Sequence, residues 1–336
     1  MLSLFDGISC CQIALNKANI PYNKYYSSEI DTHAIKVTQH NYPDTIQLYD
    51  ITKWKTWDID WKSIDLIVAG SPCQGFSYAG KQLNFGDPRS KLFFIFVDIL
   101  NHLKSINPNI KFLLENVKMK QEYQDVISEN IGVNPITINS RLVSAQNRVR
   151  LYWCNWRVNQ PEDKNLYLKD ILEYGFVDRD KSFCLDANYW KGGNLKSYFE
   201  KHRRQLIFDK PFRIGTIKEG RQGERIYSTE GKAATLSSQG GGVAGASSNL
   251  ILATSERGFE VRPDGKTYGL TTVQKDTYKT EGLVIRKLTP IECERLQTVP
   301  DNYTSVISNT QRYKALGNGF TVDVIAHILK CQYALE

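Results

Sequence analysis

Cys73 is placed in the sequence where a nucleophile could act. It lies in the loop 70–77, which is rich in Gly, Pro and Ser and follows the short apolar run 66–69. A thiol just beyond a buried strand is held at the open end of a sheet, where it can attack a substrate. Most lone cysteines are instead small buried thiols. Pro72, which restricts the chain directly before the thiol, and the polar residues that follow favour the nucleophile.

Short apolar runs and helical patterns alternate on both sides of this loop. The runs are typical of strands buried on both faces of a sheet, and they cover residues 2–5, 24–27, 66–69, 111–114 and 151–153. Residues 92–103 carry apolar side chains at helical spacing, and Asn107-Pro108 ends that helix. This order predicts an α/β fold with a doubly wound, mostly parallel sheet, whose ligands bind beyond the carboxyl ends of the strands.

The composition of the sequence changes between residues 176 and 285, where Gly, Ser and Thr become frequent and apolar residues no longer recur at helical spacing. Residues 226–238 and 261–272 resemble each other, since each indicates a strand, a Gly-Lys turn and a Leu followed by hydroxyl side chains. Such a pair predicts hairpins in a smaller, β-rich domain.

Regular structure is expected again after residue 285. Thr289, Pro290 and Glu292 stand at the spacing of a helix N-cap, its first residue and the closing residue of a capping box. Residues 315–332 predict one further helix with an apolar face.

Charge and cysteine usage restrict the class of protein. The net charge is +7, and residues 190–225 contribute +6 of it through ten Lys/Arg against four acids. This window is either a solvated face or a surface that contacts phosphates. The seven cysteines form no C-x-x-C pair and the histidines show no ligand spacing, so we expect no metal and no disulfides. We expect no membrane segment and a cytoplasmic location.

The loop around the cysteine, Ser71-Pro72-Cys73-Gln74, resembles the catalytic loop of the cytosine-C5 DNA methyltransferases. Other motifs that resemble those of this family occur in the family's order along the chain. They are Phe5-Asp6-Gly7-Ile8-Ser9, Glu29, Asp50-Ile51, Glu115-Asn116-Val117, Gln146-Asn147-Arg148-Val149-Arg150, residues 286–301 and Gly317-Asn318-Gly319. Because they are ordered and leave only residues 176–285 uncovered, chance matches are a poor explanation.

The resemblance implies a class I methyltransferase fold and S-adenosyl-L-methionine as cofactor, with S-adenosyl-L-homocysteine as product. It assigns cofactor binding to Phe5, Asp6, Gly7, Ile8, Ser9, Glu29, Ile30, Asp50, Ile51, Pro72, Leu92, Asn318 and Gly319. The family's usual first motif reads F-A-G-x-G-G, whereas this chain has Asp6, Ser9 and Cys10 in place of Ala, Gly and Gly. Asp6 at its position resembles the animal de novo DNA methyltransferases.

The family's chemistry gives roles to four side chains. Cys73 would add to C6 of cytosine so that C5 can attack the sulfonium methyl group, and Glu115 would hydrogen-bond or protonate N3. Of Arg148 and Arg150, one would hold the base O2 and the other would orient Glu115 or bind phosphate. The alternatives are a helix N-cap for Glu115 and a surface ion pair for the arginines.

The resemblance also implies double-stranded DNA as partner, with the target base flipped out of the helix. Residues 74–91 would close over DNA, and the predicted contacts are Gln74, Ser77, Lys81, Gln82, Arg89, Gln146, Arg203, Arg204 and Thr235. Either the hairpins near Thr235 read bases while residues 190–225 grip phosphates, or the two roles are reversed.

The implied organisation is a catalytic and cofactor-binding domain (1–175), a target-recognition domain (176–285), a hinge (286–311) and a helix returning to the catalytic domain (312–336). We expect a monomer, which could have a cognate restriction endonuclease. An RNA methyltransferase of the same fold is disfavoured by Ser71 before Pro72 and by the lack of a Cys-Phe-Thr element. A catalytically inactive regulator is disfavoured because Cys73, Glu115 and Arg150 are all present.

Overall fold

The computed structural model describes residues 1–71, 91–193, 195–208, 213–216, 225–227, 277–280 and 283–333. Several predicted site residues lie outside these ranges. They are Pro72, Cys73, Gln74, Ser77, Lys81, Gln82, Arg89 and Thr235.

A seven-stranded sheet with the order β3-β2-β1-β4-β5-β7-β6 forms the centre of the larger part of the chain. Strands β1 to β5 run parallel, and β7 pairs antiparallel with both β5 and β6. The chain proceeds outward from β1 to β3 and then returns to β4 beside β1, which makes the switch point where such sheets bind ligands. The strands are β1 (Leu2–Leu4), β2 (Tyr26–Ser28), β3 (Ile46–Gln47), β4 (Leu66–Gly70), β5 (Lys111–Val117), β6 (Ile136–Asn139) and β7 (Val149–Cys154).

Helices cover both faces of this sheet, as the predicted fold class requires, and that class is confirmed. Along β4, Leu66 and Val68 belong to one buried cluster while Ile67 and Ala69 belong to the other. This alternation explains why the strands are apolar throughout. The helices of the described residues are α1 (Cys10–Ala18), α2 (Thr32–Asn41), α3 (Lys91–Ile106), α4 (Gln121–Ile131), α5 (Leu195–Lys201), α6 (Pro290–Leu296), α7 (Asn309–Asn318) and α8 (Val322–Tyr333).

The two buried clusters are completed by different helices. On one face α1 and α8 contribute Ile13 and Ile325, and on the other α3 and α4 contribute Phe96 and Ile127. Since α1 and α8 come from opposite ends of the chain, the core of one face forms only when both ends have folded together. Within the described residues, none of the helices has both the length and the apolar character to span a bilayer.

The described residues of the predicted smaller domain are rich in strands, as expected, whereas the predicted hairpins at 226–238 and 261–272 lie almost entirely outside the described residues. β8 (Leu206–Phe208), β11 (Thr277–Thr280) and β12 (Leu283–Lys287) form a three-stranded antiparallel sheet in the order β11-β12-β8. β9 (Arg213–Thr216) and β10 (Arg225–Tyr227) form a separate antiparallel pair. Tyr198, Leu206, Phe208 and Ile285 pack into a small core of their own.

The C-terminal helices test two predictions. The capping box is confirmed, because the Thr289 side chain accepts from Glu292 N and the Glu292 carboxylate accepts from Thr289 N. The single helix over residues 315–332 is wrong, because α7 ends at Asn318 and Gly319 is extended. The side-chain amide of Gln297 donates to the backbone carbonyls of Leu316 and Gly319. The backbone carbonyl of Gln297 accepts from Val322 N. These bonds satisfy the backbone where the helix is interrupted.

Candidate active site

A cavity of about 470 Å³ lies at the carboxyl ends of β1, β2, β4 and β5. It brings together many predicted residues that are far apart in the sequence. Those that line it are Phe5, Gly7, Ile8, Glu29, Ile30, Asp50, Ile51, Leu92, Glu115, Arg148, Arg150 and Asn318.

One end of the cavity is formed by the loop after β1 and by Glu29 after β2. The carboxylate of Glu29 accepts from Gly7 N at 2.9 Å and, through its other oxygen, from the backbone N–H groups of Ile30 and Asp31 at 2.8 Å each. The N–H of Gly7 can reach this carboxylate because Gly7 has a φ of 60°, in the left-handed region that glycine adopts without strain. The carboxylate is therefore held in place at the cavity wall.

Asp50 stands at the rim of the same end, at the start of a 3-10 turn. Its carboxylate accepts from the backbone N–H of Thr52 at 2.9 Å and from the Thr52 hydroxyl at 2.8 Å. These two hydrogen bonds hold the pKa of Asp50 below its ordinary value. Tyr49, which the sequence analysis did not single out, also lines the cavity and is 59% exposed.

Three of the predicted cofactor residues do not line this cavity. The side chains of Asp6 and Ser9 are buried beneath the loop, where the Ser9 hydroxyl donates to the Asp6 carboxylate, so these side chains do not reach the cavity. Gly319 directly follows α7, and its carbonyl accepts from Arg148. Phe5 and Gly7, on either side of Asp6, have left-handed φ values of 57° and 60° and line the cavity, whereas the side chain of Asp6 between them is buried.

Glu115 and Arg150 face each other at the opposite end of the cavity. Arg150 Nε lies 3.1 Å from Glu115 Oε1, and the side chains are only 15% and 12% exposed. Glu115 lies within β5, and the residue that caps α4 is Lys120, so the helix N-cap alternative for Glu115 is wrong. Burial opposes the positive charge of Arg150, but Cys184 and Glu115 nevertheless raise its pKa. The pair is thus a largely buried ion pair rather than a surface one.

Ser71, two residues before Cys73, is tied to the same strand. The Asn116 side chain donates to the Ser71 hydroxyl at 3.1 Å, and both residues are buried. The chain therefore enters the predicted catalytic loop from a fixed point beside Glu115.

Arg148 is 4% exposed and its guanidinium is used to hold the backbone of other segments. It donates to the carbonyls of Leu185 at 2.9 Å, Gly319 at 3.0 Å and Gly317 at 3.4 Å. The structure therefore separates the two arginines: Arg150 orients Glu115, and Arg148 joins β7 to the final motif.

Cys184 is a neighbour of both arginines that the sequence analysis missed. Its Sγ lies 3.5 Å from Arg148 Nη1 and 3.9 Å from Arg150 Nη2. Burial works to raise the pKa of this thiol, but the two positive charges outweigh burial and leave it below the ordinary value. No local pattern could have shown this contact, because the partners are 36 and 34 residues apart.

The described residues that were predicted to contact DNA have different environments. Gln146 is fully buried and donates to Leu296 O at 2.7 Å, so the prediction that its side chain contacts DNA is corrected. Arg203 is 55% exposed and pairs with Asp186 at 2.9 Å. Arg204 donates to Gly192 O at 2.8 Å and is half-buried.

This sheet order, with antiparallel β7 between β5 and β6 and a cavity at the switch point, is that of the class I methyltransferase fold. The chain belongs to the C-5 cytosine-specific DNA methylase family, whose model matches residues 1–332, and it is a DNA cytosine-C5 methyltransferase. The predicted family is therefore confirmed.

Curated relatives align over nearly the whole chain. The type II methyltransferase M.HpaII of Haemophilus parainfluenzae is 30% identical over 96% of this chain and 86% of its own length. The type II methyltransferase M.HhaI of Haemophilus parahaemolyticus is 28% identical over 97% and 92%. The orphan methyltransferase M.SPRI of Bacillus phage SPR is 28% identical over 98% and 96%.

Solved structures share the fold at lower identity. A mutant of DNMT2 from Spodoptera frugiperda superposes with a TM-score of 0.60 at 20% identity, over 99% of this chain and 98% of that one. The methyltransferase EhMeth of Entamoeba histolytica gives 0.59 at 16% identity, over 100% and 98%. At these identities the likeness concerns the fold alone.

Proposed function

We propose that this protein transfers the methyl group of S-adenosyl-L-methionine to C5 of a flipped-out cytosine, within a short specific sequence of double-stranded DNA, through a covalent Cys73–C6 intermediate. The observation that carries the proposal is the Glu115–Arg150 pair at one end of a cavity whose other end presents Phe5 and Glu29. The carboxyl group that would act on the base and the residues that would bind the nucleoside of the cofactor thus line one cavity, which supports methyl transfer to a base.

The lining of the cavity fits a cationic nucleoside cofactor without phosphates. Lys314 is paired with Asp31 at 2.9 Å, and Arg148 and Arg150 are held by the contacts described above, whereas Glu29 and Asp50 present carboxylates to the cavity. Phe5 would stack on the adenine, Glu29 would accept from the ribose hydroxyls, and Asp50 with Ile51 would contact the adenine. When bound, the cofactor supplies the methyl group as an electrophile on a sulfonium.

The chain's own residues would activate the base. The Cys73 thiolate would add to C6 and form a C–S bond, which would move an electron pair toward N3, where Glu115 in its protonated form would donate a proton or a hydrogen bond. Arg150 holds the Glu115 carboxyl group in position for this contact. As C5 takes the methyl group, N3 would return any proton it had received to Glu115. The C5 proton would then leave to water, and the Cys73 thiolate would be eliminated as the C5–C6 double bond re-forms.

Recognition of DNA is assigned to the smaller domain. In the proposed organisation, residues 1–175 form the catalytic and cofactor-binding domain and residues 176–285 form the target-recognition domain. Residues 286–311 form a hinge, and residues 312–336 return to the catalytic domain. Arg203, which is exposed and basic, supports a phosphate-contacting role for its window. A cognate restriction endonuclease is part of the proposal and is in keeping with relatives named type II methyltransferases. We also expect a monomer in the cytoplasm.

The test is a methyl-transfer assay with labelled cofactor on duplex DNA and on transfer RNA. We expect label in the 5-position of cytosine in the duplex only, and a duplex with 5-fluorocytosine should trap an adduct because elimination would then require loss of F⁺. Cys73→Ser should bind the cofactor but form neither product nor adduct. Substantial methylation by Cys73→Ser, or a preference for transfer RNA, would refute the proposal.

A further inference from the structure

The loop that carries Phe5 and Gly7 has an unusual backbone. Phe5, Gly7 and Ser9 have φ values of 57°, 60° and 58°, all in the left-handed region, and two of these residues are not glycine. This conformation is unfavourable for a residue with a Cβ, so something else must hold it. Ser9 is the N-cap residue of α1, yet its side chain makes no capping bond to the helix.

The carboxylate of Asp6 is the centre of a hydrogen-bond network beneath this loop. Asp6 is 4% exposed and accepts from four hydroxyl groups. Tyr25 and Ser27 donate at 2.7 and 3.0 Å, and Ser3 and Ser9 donate to its two oxygens. Burial raises the pKa of Asp6 and so opposes the charge, whereas the four donors favour it.

The network connects this carboxylate to the residues that line the cavity. Asp6 N donates to Ser28 O at 3.2 Å, directly before Glu29. Phe5 and Gly7, on either side of Asp6, line the cavity, and Gly7 N donates to Glu29. A movement of the Asp6 side chain would therefore shift each of these cavity residues.

We propose that Asp6 is a positioning residue for the cofactor site, because its carboxylate holds Ser9 in the left-handed conformation that a glycine would otherwise have to supply. The family's usual motif has Ala and Gly at positions 6 and 9, and this chain has Asp and Ser. The inference rests on the proposed binding of S-adenosyl-L-methionine and adds a residue that does not contact it.

The test compares cofactor affinity in variants at positions 6 and 9, by calorimetry well below the unfolding temperature. Asp6→Ala leaves four hydroxyl groups without their acceptor, and we expect S-adenosyl-L-methionine to bind at least about tenfold more weakly, with kcat at saturating cofactor retained. Adding Ser9→Gly to Asp6→Ala should restore affinity to within about threefold of the unmodified protein, because glycine adopts this φ without support.

A matched control separates positioning from general loss of stability. Glu292 is another fully buried carboxylate with four donated hydrogen bonds, from Glu173 N, Thr289 N and both terminal nitrogens of Arg286, and it does not line the cavity. Glu292→Gln should lower the unfolding temperature but leave cofactor affinity unchanged. Hydrogen exchange without cofactor should be faster in residues 4–10 for Asp6→Ala only.

The outcomes distinguish this inference from the proposed function. If the unmodified protein does not bind S-adenosyl-L-methionine, the proposed function fails. If it binds and Asp6→Ala binds equally well, or Ser9→Gly gives no rescue, or Glu292→Gln weakens binding as much, the inference fails and the function stands. Should Asp6→Ala not fold, Asp6→Asn, which keeps one acceptor oxygen, should show a smaller loss in the same direction.

Discussion

The two ends of the cavity are held by different kinds of contact. At the cofactor end (residues 5–9, 28–31 and 49–51), the Glu29 carboxylate accepts from Gly7, which is 22 residues away, and from Ile30 and Asp31 beside it. At the catalytic end (residues 70–71, 115–117 and 148–150), Arg148 reaches Gly319, 171 residues away. The Glu29 carboxylate at the cofactor end is therefore held by residues nearby in the sequence, whereas Arg148 at the catalytic end is held by the C-terminal segment. The C-terminal segment also contacts the cofactor end, because Tyr303 donates to Ile8 O at 2.8 Å and Lys314 pairs with Asp31 at 2.9 Å.

This difference implies that substitutions at the catalytic end should affect turnover or global stability, and that substitutions at the cofactor end should affect cofactor affinity. The predictions below test that division, beginning with the largest expected effect.

Glu115→Gln should lower kcat by about 10²–10⁴-fold, because an amide cannot donate a proton to N3. Cofactor affinity should stay within about twofold, since the ribose and adenine contacts are at the other end. Single-turnover methylation and calorimetry measure the two quantities. A loss of affinity with unchanged kcat would contradict the separation of the two ends.

Arg148→Ala should lower the free energy of unfolding by about 3 kcal/mol, because three carbonyls lose a charged donor in a buried place. Arg203→Ala is the matched control: its ion pair is exposed, and its removal should change stability by about 0–1 kcal/mol. Denaturant titration of both variants and of the unmodified protein measures the loss in the free energy of unfolding. Equal losses would mean that Arg148 does not hold the catalytic end together.

Glu29→Ala should make the binding free energy of S-adenosyl-L-methionine about 1–3 kcal/mol less favourable, since it removes hydrogen bonds to a charged acceptor. DNA affinity should not change, because Glu29 faces the cofactor end. Calorimetry for the cofactor and fluorescence anisotropy for a duplex measure both. Unchanged cofactor affinity would count against the assignment of Glu29.

The smallest effect is expected at Cys184. Because the charges of Arg148 and Arg150 hold its pKa below the ordinary 9.0, the thiolate fraction should reach its plateau at a lower pH than in a free thiol. In a Cys73→Ser background, the rate of iodoacetamide labelling at Cys184, followed by mass spectrometry, should level off at a lower pH than the rate for a free cysteine. Cys184→Ser should change kcat by no more than about twofold, since the thiol contacts the arginines only at long distances.

Local patterns in the sequence were enough to locate many elements. The apolar runs at 66–69 and 111–114 lie within β4 and β5, and the spacing of Thr289 and Glu292 predicted the capping box, since strand burial and capping depend on residues only a few positions apart. Short strands were missed: β3 has two residues and β6 has four, and both have exposed positions, which leaves too little apolar periodicity to recognise.

The burial of polar residues was decided by the tertiary structure. Asp6 and Gln146 both belong to family motifs, and the sequence predicted that Asp6 binds the cofactor and that Gln146 binds DNA. In the structure, the side chain of Asp6 is buried beneath the loop after β1, and the side chain of Gln146 is buried against the end of α6. The partners that satisfy them, Tyr25 and Ser27 for Asp6 and Leu296 for Gln146, come from other segments of the chain. A motif shows which residue types are present, but the direction of a side chain depends on which segments pack around it.

The same reason explains the break between α7 and α8 and the place of Cys184. The apolar positions on both sides of Gly319 continue at helical spacing, so the sequence by itself predicts one helix, and only the hydrogen bonds from Gln297 show where it is interrupted. The sequence by itself therefore determined the family, the order of the elements and the residue types of the cavity, because these depend on local patterns and motif order. Only the tertiary structure decided which polar side chains reach the cavity and which support it, because a buried donor or acceptor takes its partner from whatever the fold brings near.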